Sequence, residues 1–270
     1  MEQQFLVDEE WLTQHASDPA VLLIDTRPAA EFWAGHLPGA RHFDPFPFHC
    51  YDTSPRVLGE WIAQTEWIFS ALGVTPESQV VFYESNSGSR ATRGAWALEF
   101  LGHHGALMLD GGLSGLRHSA LTTETLPFRQ QHFKAAPRPE LVASYSDILE
   151  RLAKPHAKIL DVRSEAEYYG ENVRAKRGGA IPGALLREWT LNNDAQGKFS
   201  SPDELREIFA RMGIHPEHEV VTYCQGGYRA AHTYYALKLA GFARVRNYLG
   251  SWGEWGNRED LPIETPRRPA

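Results

Sequence analysis

Cys224 stands where a nucleophile is commonly built. It ends the apolar run Val220-Val221-Thr222-Tyr223 and opens Gln225-Gly226-Gly227-Tyr228, a glycine-rich turn leading into a helical pattern that begins near Arg229. In α/β proteins, ligands gather at the carboxyl ends of strands. Two glycines permit the backbone angles that turn successive N–H groups to one side as an anion nest. The first turn of the following helix adds its positive end. Those dipoles and the Arg229 guanidinium are expected to lower the Cys224 pKa and favour the thiolate, which is the nucleophilic form. The alternative is a cysteine that only packs, since cysteine is among the residue types most often found inside.

Other candidates carry less chemistry. Cys50 lies in the aromatic stretch Pro45-Phe46-Pro47-Phe48-His49-Cys50-Tyr51 with no glycine nest, and is expected to be a packing thiol in a loop. Asp25/Arg27 and Asp161/Arg163 are expected to be ion pairs at strand ends. His103-His104 lacks further ligands at zinc spacing and is expected at the surface. There is no Gly-x-Ser-x-Gly elbow, Gly-x-Gly-x-x-Gly turn or Cys-x-x-Cys pair.

The elements that must position Cys224 occur twice. Leu23-Ile24-Asp25-Thr26-Arg27 recurs as Ile159-Leu160-Asp161-Val162-Arg163, and Leu37-Pro38-Gly39-Ala40 as Ile181-Pro182-Gly183-Ala184. Between these two blocks the second copy carries eight extra residues, within Gly170–Gly179. Gly73-Val74-Thr75-Pro76 and Val80-Val81-Phe82-Tyr83 recur at Gly213 and Val220 with a common offset of 140. A tandem duplication follows. The expected domains are 1–121 and 140–270, with the Pro- and Thr-containing stretch 122–139 as linker. Strands are expected over Ala20–Asp25, Gln79–Glu84, Ala157–Val162 and Glu219–Cys224. Helices are expected over Pro28–Ala34, Trp61–Leu72, Arg90–Leu101, Ser164–Tyr169, Pro202–Met212 and Arg229–Ala240. Such alternation implies an α/β fold, each copy a mostly parallel sheet flanked by helices. At the place of Cys224 the first copy has Glu84, in Glu84-Ser85-Asn86-Ser87-Gly88-Ser89-Arg90. A carboxylate cannot act as a sulfur nucleophile and repels anions, so the first domain is expected to be inert and the second catalytic.

Composition narrows the class further. The chain has 270 residues, 42 % of them hydrophobic and 23 % charged, enough for a buried core and unlike a disordered chain. Its net charge is −7, and residues 1–120 hold six arginines, no lysine and fifteen acids. With no basic cluster to neutralise phosphates, a nucleic-acid partner is not expected. No apolar run reaches the length of a membrane span, so no membrane partner is expected either. The acidic start of the chain resembles no leader peptide, and two cysteines make no disulfide framework. These features lead to the expectation of a cytoplasmic protein with free thiols, acting as a monomer.

Asp-x-Arg at a strand end, Pro-Gly-Ala, a Cys-x-x-x-x-Arg turn and the late Gly250-Ser251-Trp252-Gly253-Glu254-Trp255, in tandem with an unreactive first copy, resemble the two-domain rhodanese family. Its members are thiosulfate and 3-mercaptopyruvate sulfurtransferases. The resemblance implies two rhodanese-like domains with the active site between them. It implies a small anionic sulfur donor, a thiophilic acceptor such as cyanide, and a persulfide on Cys224. It further implies that the backbone amides of Gln225, Gly226, Gly227, Tyr228 and Arg229 cradle that persulfide, and that no metal or organic cofactor takes part. The arginine that precedes Pro-Gly-Ala helps bind the donor in some members, and Arg177 is its nearest match here, with Arg187 a second candidate. Where many members have Gly-His-Ile-Pro-Gly-Ala, the second copy has Ala180 in place of the histidine. Thiosulfate is the expected donor because Arg229 suits a small dianion, and 3-mercaptopyruvate is the alternative. Two rival functions use the same Cys224: a persulfide carrier or redox sensor, and a Cys-dependent phosphatase. The phosphatase would need five residues between Cys and Arg, where this turn has four.

Overall fold

The computed structural model describes residues 5–152, 154 and 156–268. They form two compact units. The first contains residues up to 48, 59–138 and 193–199, and the second contains 49–58, 139–192 and 200 onward. Each unit therefore includes a short segment from the other half of the sequence.

In the first unit the strands are β1 (Leu6–Val7), β2 (Val21–Asp25), β3 (Arg41–His42), β4 (Gln79–Tyr83) and β5 (Ala106–Leu109). They pair in the order β1-β5-β4-β2-β3, every pair parallel. The helices are α1 (Glu9–Gln14), α2 (Ala29–Ala34), α3 (Pro55–Ala71), whose first four residues belong to the second unit, and α4 (Ser89–Phe100). The second unit repeats the plan. Strands β6 (Val142–Ala143), β7 (Ala157–Asp161), β8 (Leu185–Leu186), β9 (Glu219–Tyr223) and β10 (Val245–Tyr248) pair in parallel in the order β6-β10-β9-β7-β8. Its helices are α5 (Tyr145–Arg151), α6 (Glu165–Tyr168), α7 (Pro202–Arg211), α8 (Tyr228–Leu239) and α9 (Ser251–Trp255).

The expected fold class is the observed one, and the reasons are local. The central strands β4 and β9 are apolar on both faces because helices cover both sides, so they read as unbroken Val-Val runs. The sheet of the second unit packs on a core that includes Val221, Tyr223, Tyr248, Trp252 and Trp255. Ser144, Ser164 and Ser201 begin α5, α6 and α7 with reciprocal side-chain bonds to Asp147, Glu167 and Glu204. Helix α3 begins at Pro55, earlier than the expected Trp61. Its first six residues are exposed or half-buried, so they carry no apolar period, and a proline in the first turn marks the true start.

Three further expectations meet their geometry here. Asp25–Arg27 and Asp161–Arg163 are buried ion pairs, both at 2.6 Å. In each, the same arginine nitrogen donates at 2.7 Å to the carbonyl of Gly35 or Gly179, tying the strand end to the Pro-Gly-Ala loop. His103 is a correction: it is buried, not at the surface. Gly105 N–H donates to its Nδ1 and its Nε2 donates to the Thr75 carbonyl, both at 2.9 Å, so the ring closes a turn. The stretch after Thr122 forms no helix or strand up to Arg138, yet Phe133 is buried and Ala136 and Arg138 donate to the carbonyls of Leu101 and Phe100. No helix among the described residues is long and apolar enough to cross a membrane.

Candidate active site

Cys224 directly follows the last residue of β9, the middle strand of its sheet, and is 1 % exposed. The turn after it is held from one side by residues 247–253. Cys224 N–H donates to Ser251 Oγ at 3.1 Å, and that hydroxyl donates to the Tyr248 carbonyl at 2.7 Å. The carbonyls of Cys224 and Gln225 accept from Trp252 and Gly253 N–H at 2.9 and 2.8 Å. The Gly227 carbonyl accepts from Asn247 Nδ2 at 3.0 Å. With its carbonyls tied off, the turn can offer N–H groups to a ligand. Gly227, at φ +81°, is the N-cap of α8, and the ladder of that helix begins with Ala231 N–H on the Gly227 carbonyl. The N–H groups of Tyr228, Arg229 and Ala230 precede that ladder.

The two glycines serve different ends. Gly227 adopts the left-handed conformation, whereas Gly226 does not. Gly226 is glycine because a Cβ there would come within 2.6 Å of the His49 ring.

The first unit shows what the corresponding helix start binds. Glu84 occupies the place of Cys224, and its Oε1 accepts from Arg90 and Ala91 N–H at 2.7 and 2.9 Å. With the repeat offset of 139 at these helices, those donors correspond to Arg229 and Ala230. Burial pushes the Glu84 carboxyl up, and the two N–H bonds oppose that shift. The first copy thus supplies its own carboxylate at the helix start where the second copy has a sulfur.

Arg229 forks onto Glu167 at 2.7 and 2.9 Å. Burial alone would raise the Glu167 carboxyl, but Arg229 and the Ser164 cap outweigh it and hold the group at about 2. Burial would likewise lower the Arg229 pKa, yet the Glu167 fork and the nearby Cys224 charge raise it. Arg229 is thus a fixed cation beside the sulfur, partly neutralised by its partner.

The two other arginines lie elsewhere in the unit. Arg177 donates to the backbone carbonyls of Leu261 at 2.9 Å and Trp255 at 3.0 Å, and also to that of Arg258, so its fork ties the inserted segment to the chain after α9. Arg187 donates to Asn192 Oδ1 at 2.8 Å and to the Leu191 carbonyl at 2.5 Å. The insertion brings Arg174 to the turn instead: Gln225 Nε2 donates to its carbonyl at 3.1 Å, and its half-exposed guanidinium sits 3.5 Å from Glu167. Sequence reasoning passed over Glu167, Arg174 and Ser251. A glutamate repeated at Glu31 and Glu167 was a usable signal for the first. Ser251 stood out only as part of the Gly250-to-Trp255 motif, with no support from the repeat, because its counterpart is Gly112.

A pair of parallel α/β units, one with a cysteine at the mouth of a glycine turn on its central strand, is the class that fold and site define. The family model described as "Rhodanese-like domain" matches residues 8–119 and 144–258, and the chain belongs to that family. It is 36 % identical over 260 residues to the thiosulfate sulfurtransferase of Azotobacter vinelandii, covering 94 % of each chain. It is 32 % identical over 282 residues to the 3-mercaptopyruvate sulfurtransferase of Escherichia coli K12, covering 98 % of this chain and 99 % of that one. The solved structure of the anaerobic ergothioneine biosynthesis enzyme from Chlorobium limicola has a TM-score of 0.84 at 24 % identity, covering 98 % of this chain and 71 % of that one. That likeness is one of fold.

Proposed function

We propose that the protein is a sulfurtransferase in which Cys224 carries the sulfur, with thiosulfate as donor. The Cys224 sulfur attacks the outer sulfur of thiosulfate. A new S–S bond forms, the S–S bond of thiosulfate breaks, and sulfite leaves with the bonding pair. Cyanide or another thiophile then attacks the outer sulfur of the persulfide; the C–S bond of thiocyanate forms and the Cys224 sulfur leaves as thiolate. The amides of Gln225 to Arg229 cradle the persulfide, and Arg229 favours the anionic donor. The observation that carries this reading is Glu84, whose carboxylate accepts two N–H bonds where the second copy presents Cys224. Relatives of nearly full-length coverage named as sulfurtransferases support it.

Intact-mass and peptide analysis after thiosulfate treatment tests the proposal. One added sulfur atom on Cys224 is the expected result, and a persulfide on Cys50 alone overturns it. A second donor, 3-mercaptopyruvate, is favoured by Arg174, a half-exposed cation suited to a carboxylate. A higher kcat/KM for 3-mercaptopyruvate than for thiosulfate would reverse the choice of donor and leave the chemistry at Cys224 intact.

A further inference from the structure

Residues 49–58 precede most of the first unit in sequence yet belong to the second. Two of their side chains, those of His49 and Tyr51, lie on the Cys224 turn. The His49 ring is 4.9 Å from the Tyr228 ring and stacks on Tyr51 at 4.8 Å. A Cβ on Gly226 would come within 3.1 Å of Tyr51, and one on Gly253 within 2.3 Å. The edge of the Tyr51 ring therefore lies against the backbone of both glycines. The two glycine segments are joined to each other by the bond from Gly253 N–H to the Gln225 carbonyl at 2.8 Å. Tyr51 is 46 % exposed while Cys224 is 1 % exposed, so the ring forms part of the cover over the turn.

A buried carboxylate fastens this cover. Glu254 accepts from Thr53 N–H and from the Thr53 hydroxyl, both at 2.7 Å, and from the Tyr248 hydroxyl at 2.8 Å. Hydrogen bonds to a carboxylate are short and roughly twice as strong as neutral ones. The same Thr53 oxygen accepts Tyr145 N–H at 3.1 Å, which fixes the segment at a second point. Glu254 lies in α9, whose first residues hold the carbonyl side of the turn. One short helix thus sets both the turn and the segment that covers it.

We propose that His49 and Tyr51 are the size-selecting wall of the Cys224 site, and that Glu254 and Thr53 are positioning residues that hold this wall. The proposal rests on Cys224 being the reactive group. Slim anions such as thiosulfate and cyanide pass the wall, and bulky electrophiles or acceptors do not. A change in the wall alters which molecules reach the sulfur, not the chemistry at the sulfur.

Alkylation of Cys224 by iodoacetamide and by a bulky N-aryl maleimide, read by peptide mass spectrometry, tests this without any sulfur transfer. Tyr51→Ala is expected to raise the maleimide rate relative to the iodoacetamide rate by roughly fivefold or more, and to raise the thiosulfate KM with kcat within about twofold. His49→Ala should shift the ratio in the same direction, which guards against one variant failing to fold. Thr53→Val should follow Tyr51→Ala, and Thr53→Ser, which keeps the hydroxyl, should restore the original ratio. Equal acceleration of both reagents, or none, in the two wall variants overturns the wall. If Thr53→Ser behaves like Thr53→Val, the clamp is overturned. Absence of a persulfide on Cys224 in the unmodified protein would sink the sulfur-transfer reading while the alkylation ratio still reports on the wall.

Discussion

At the scale of single residues, the Cys224 turn sets distinct demands on neighbouring positions. Cys224→Ser should abolish turnover with thiosulfate, because a serine hydroxyl is scarcely ionised at neutral pH and forms no persulfide; steady-state assays check this. Gly227→Ala places a side chain at φ +81° and should lower stability by about 1–2 kcal/mol. Gly226→Ala pays no such backbone cost, but its Cβ meets His49, so its destabilisation should shrink in a His49→Ala background while that of Gly227→Ala persists. Urea unfolding of the three single and two double variants separates the two causes. Glu167 adds a pH dependence. Its carboxyl is held at about 2 against an ordinary 4.5, so the unfolded chain binds this proton more readily than the folded one. The stabilisation is complete above the ordinary value and drains away as pH falls from there through about 2. Glu167→Gln should therefore unfold more easily at pH 7 by about 3 kcal/mol, as expected when one partner of a buried pair is removed, and should lose this acid-sensitive component. Matching denaturation midpoints for variant and parent at pH 7 would remove Glu167 from the account.

At the scale of elements, the link between β10 and α9 carries the backbone tension of the site. Ser251 is the one non-glycine residue at positive φ among those described, at +53°, the angle that Gly112 adopts in the first unit. Its hydroxyl anchors Cys224 N–H, so the strain persists next to a functional group. Ser251→Ala keeps the strain and loses the bond, whereas Ser251→Gly loses the bond but relieves the strain. Ser251→Ala should therefore be the less stable of the two by about 1 kcal/mol in chemical denaturation. The same comparison explains what could be read beforehand. Strands β2, β4, β7 and β9 and helices α4 and α8 are long, apolar and duplicated, so pattern and repeat agree. Strands β1, β3, β6 and β8 have two residues each and no period to detect. The turn at Cys224 was legible because glycines, strand end and helix start are contiguous. Arg177 was preferred and Arg174 passed over, because the inserted segment has no counterpart to fix its register. Thr53 meets Glu254, and Tyr51 meets Gly253, across about 200 positions of sequence, where no local spacing carries a signal.

At the scale of the whole molecule, the two copies place different groups at the same point of one design, Glu84 in the first and Cys224 in the second. Glu84→Ala removes the acceptor of two buried N–H groups and should destabilise the protein by about 1–3 kcal/mol, the usual cost of leaving buried donors unpaired. Thiosulfate labelling of Cys224 should continue at a rate within about twofold of the parent, since Glu84 supports only its own helix start. Calorimetry and labelling kinetics on the same sample check both halves. The units also each incorporate a segment from the other half of the chain, 49–58 in one and 193–199 in the other. A gene trimmed to its second half would encode a polypeptide that still has Cys224 but lacks His49, Tyr51 and the Thr53 partner of Glu254. Deletion of the first copy would therefore also strip its sister of part of itself. The duplication is in this sense hard to undo: the second copy depends on a piece of chain that lies within the first half of the sequence.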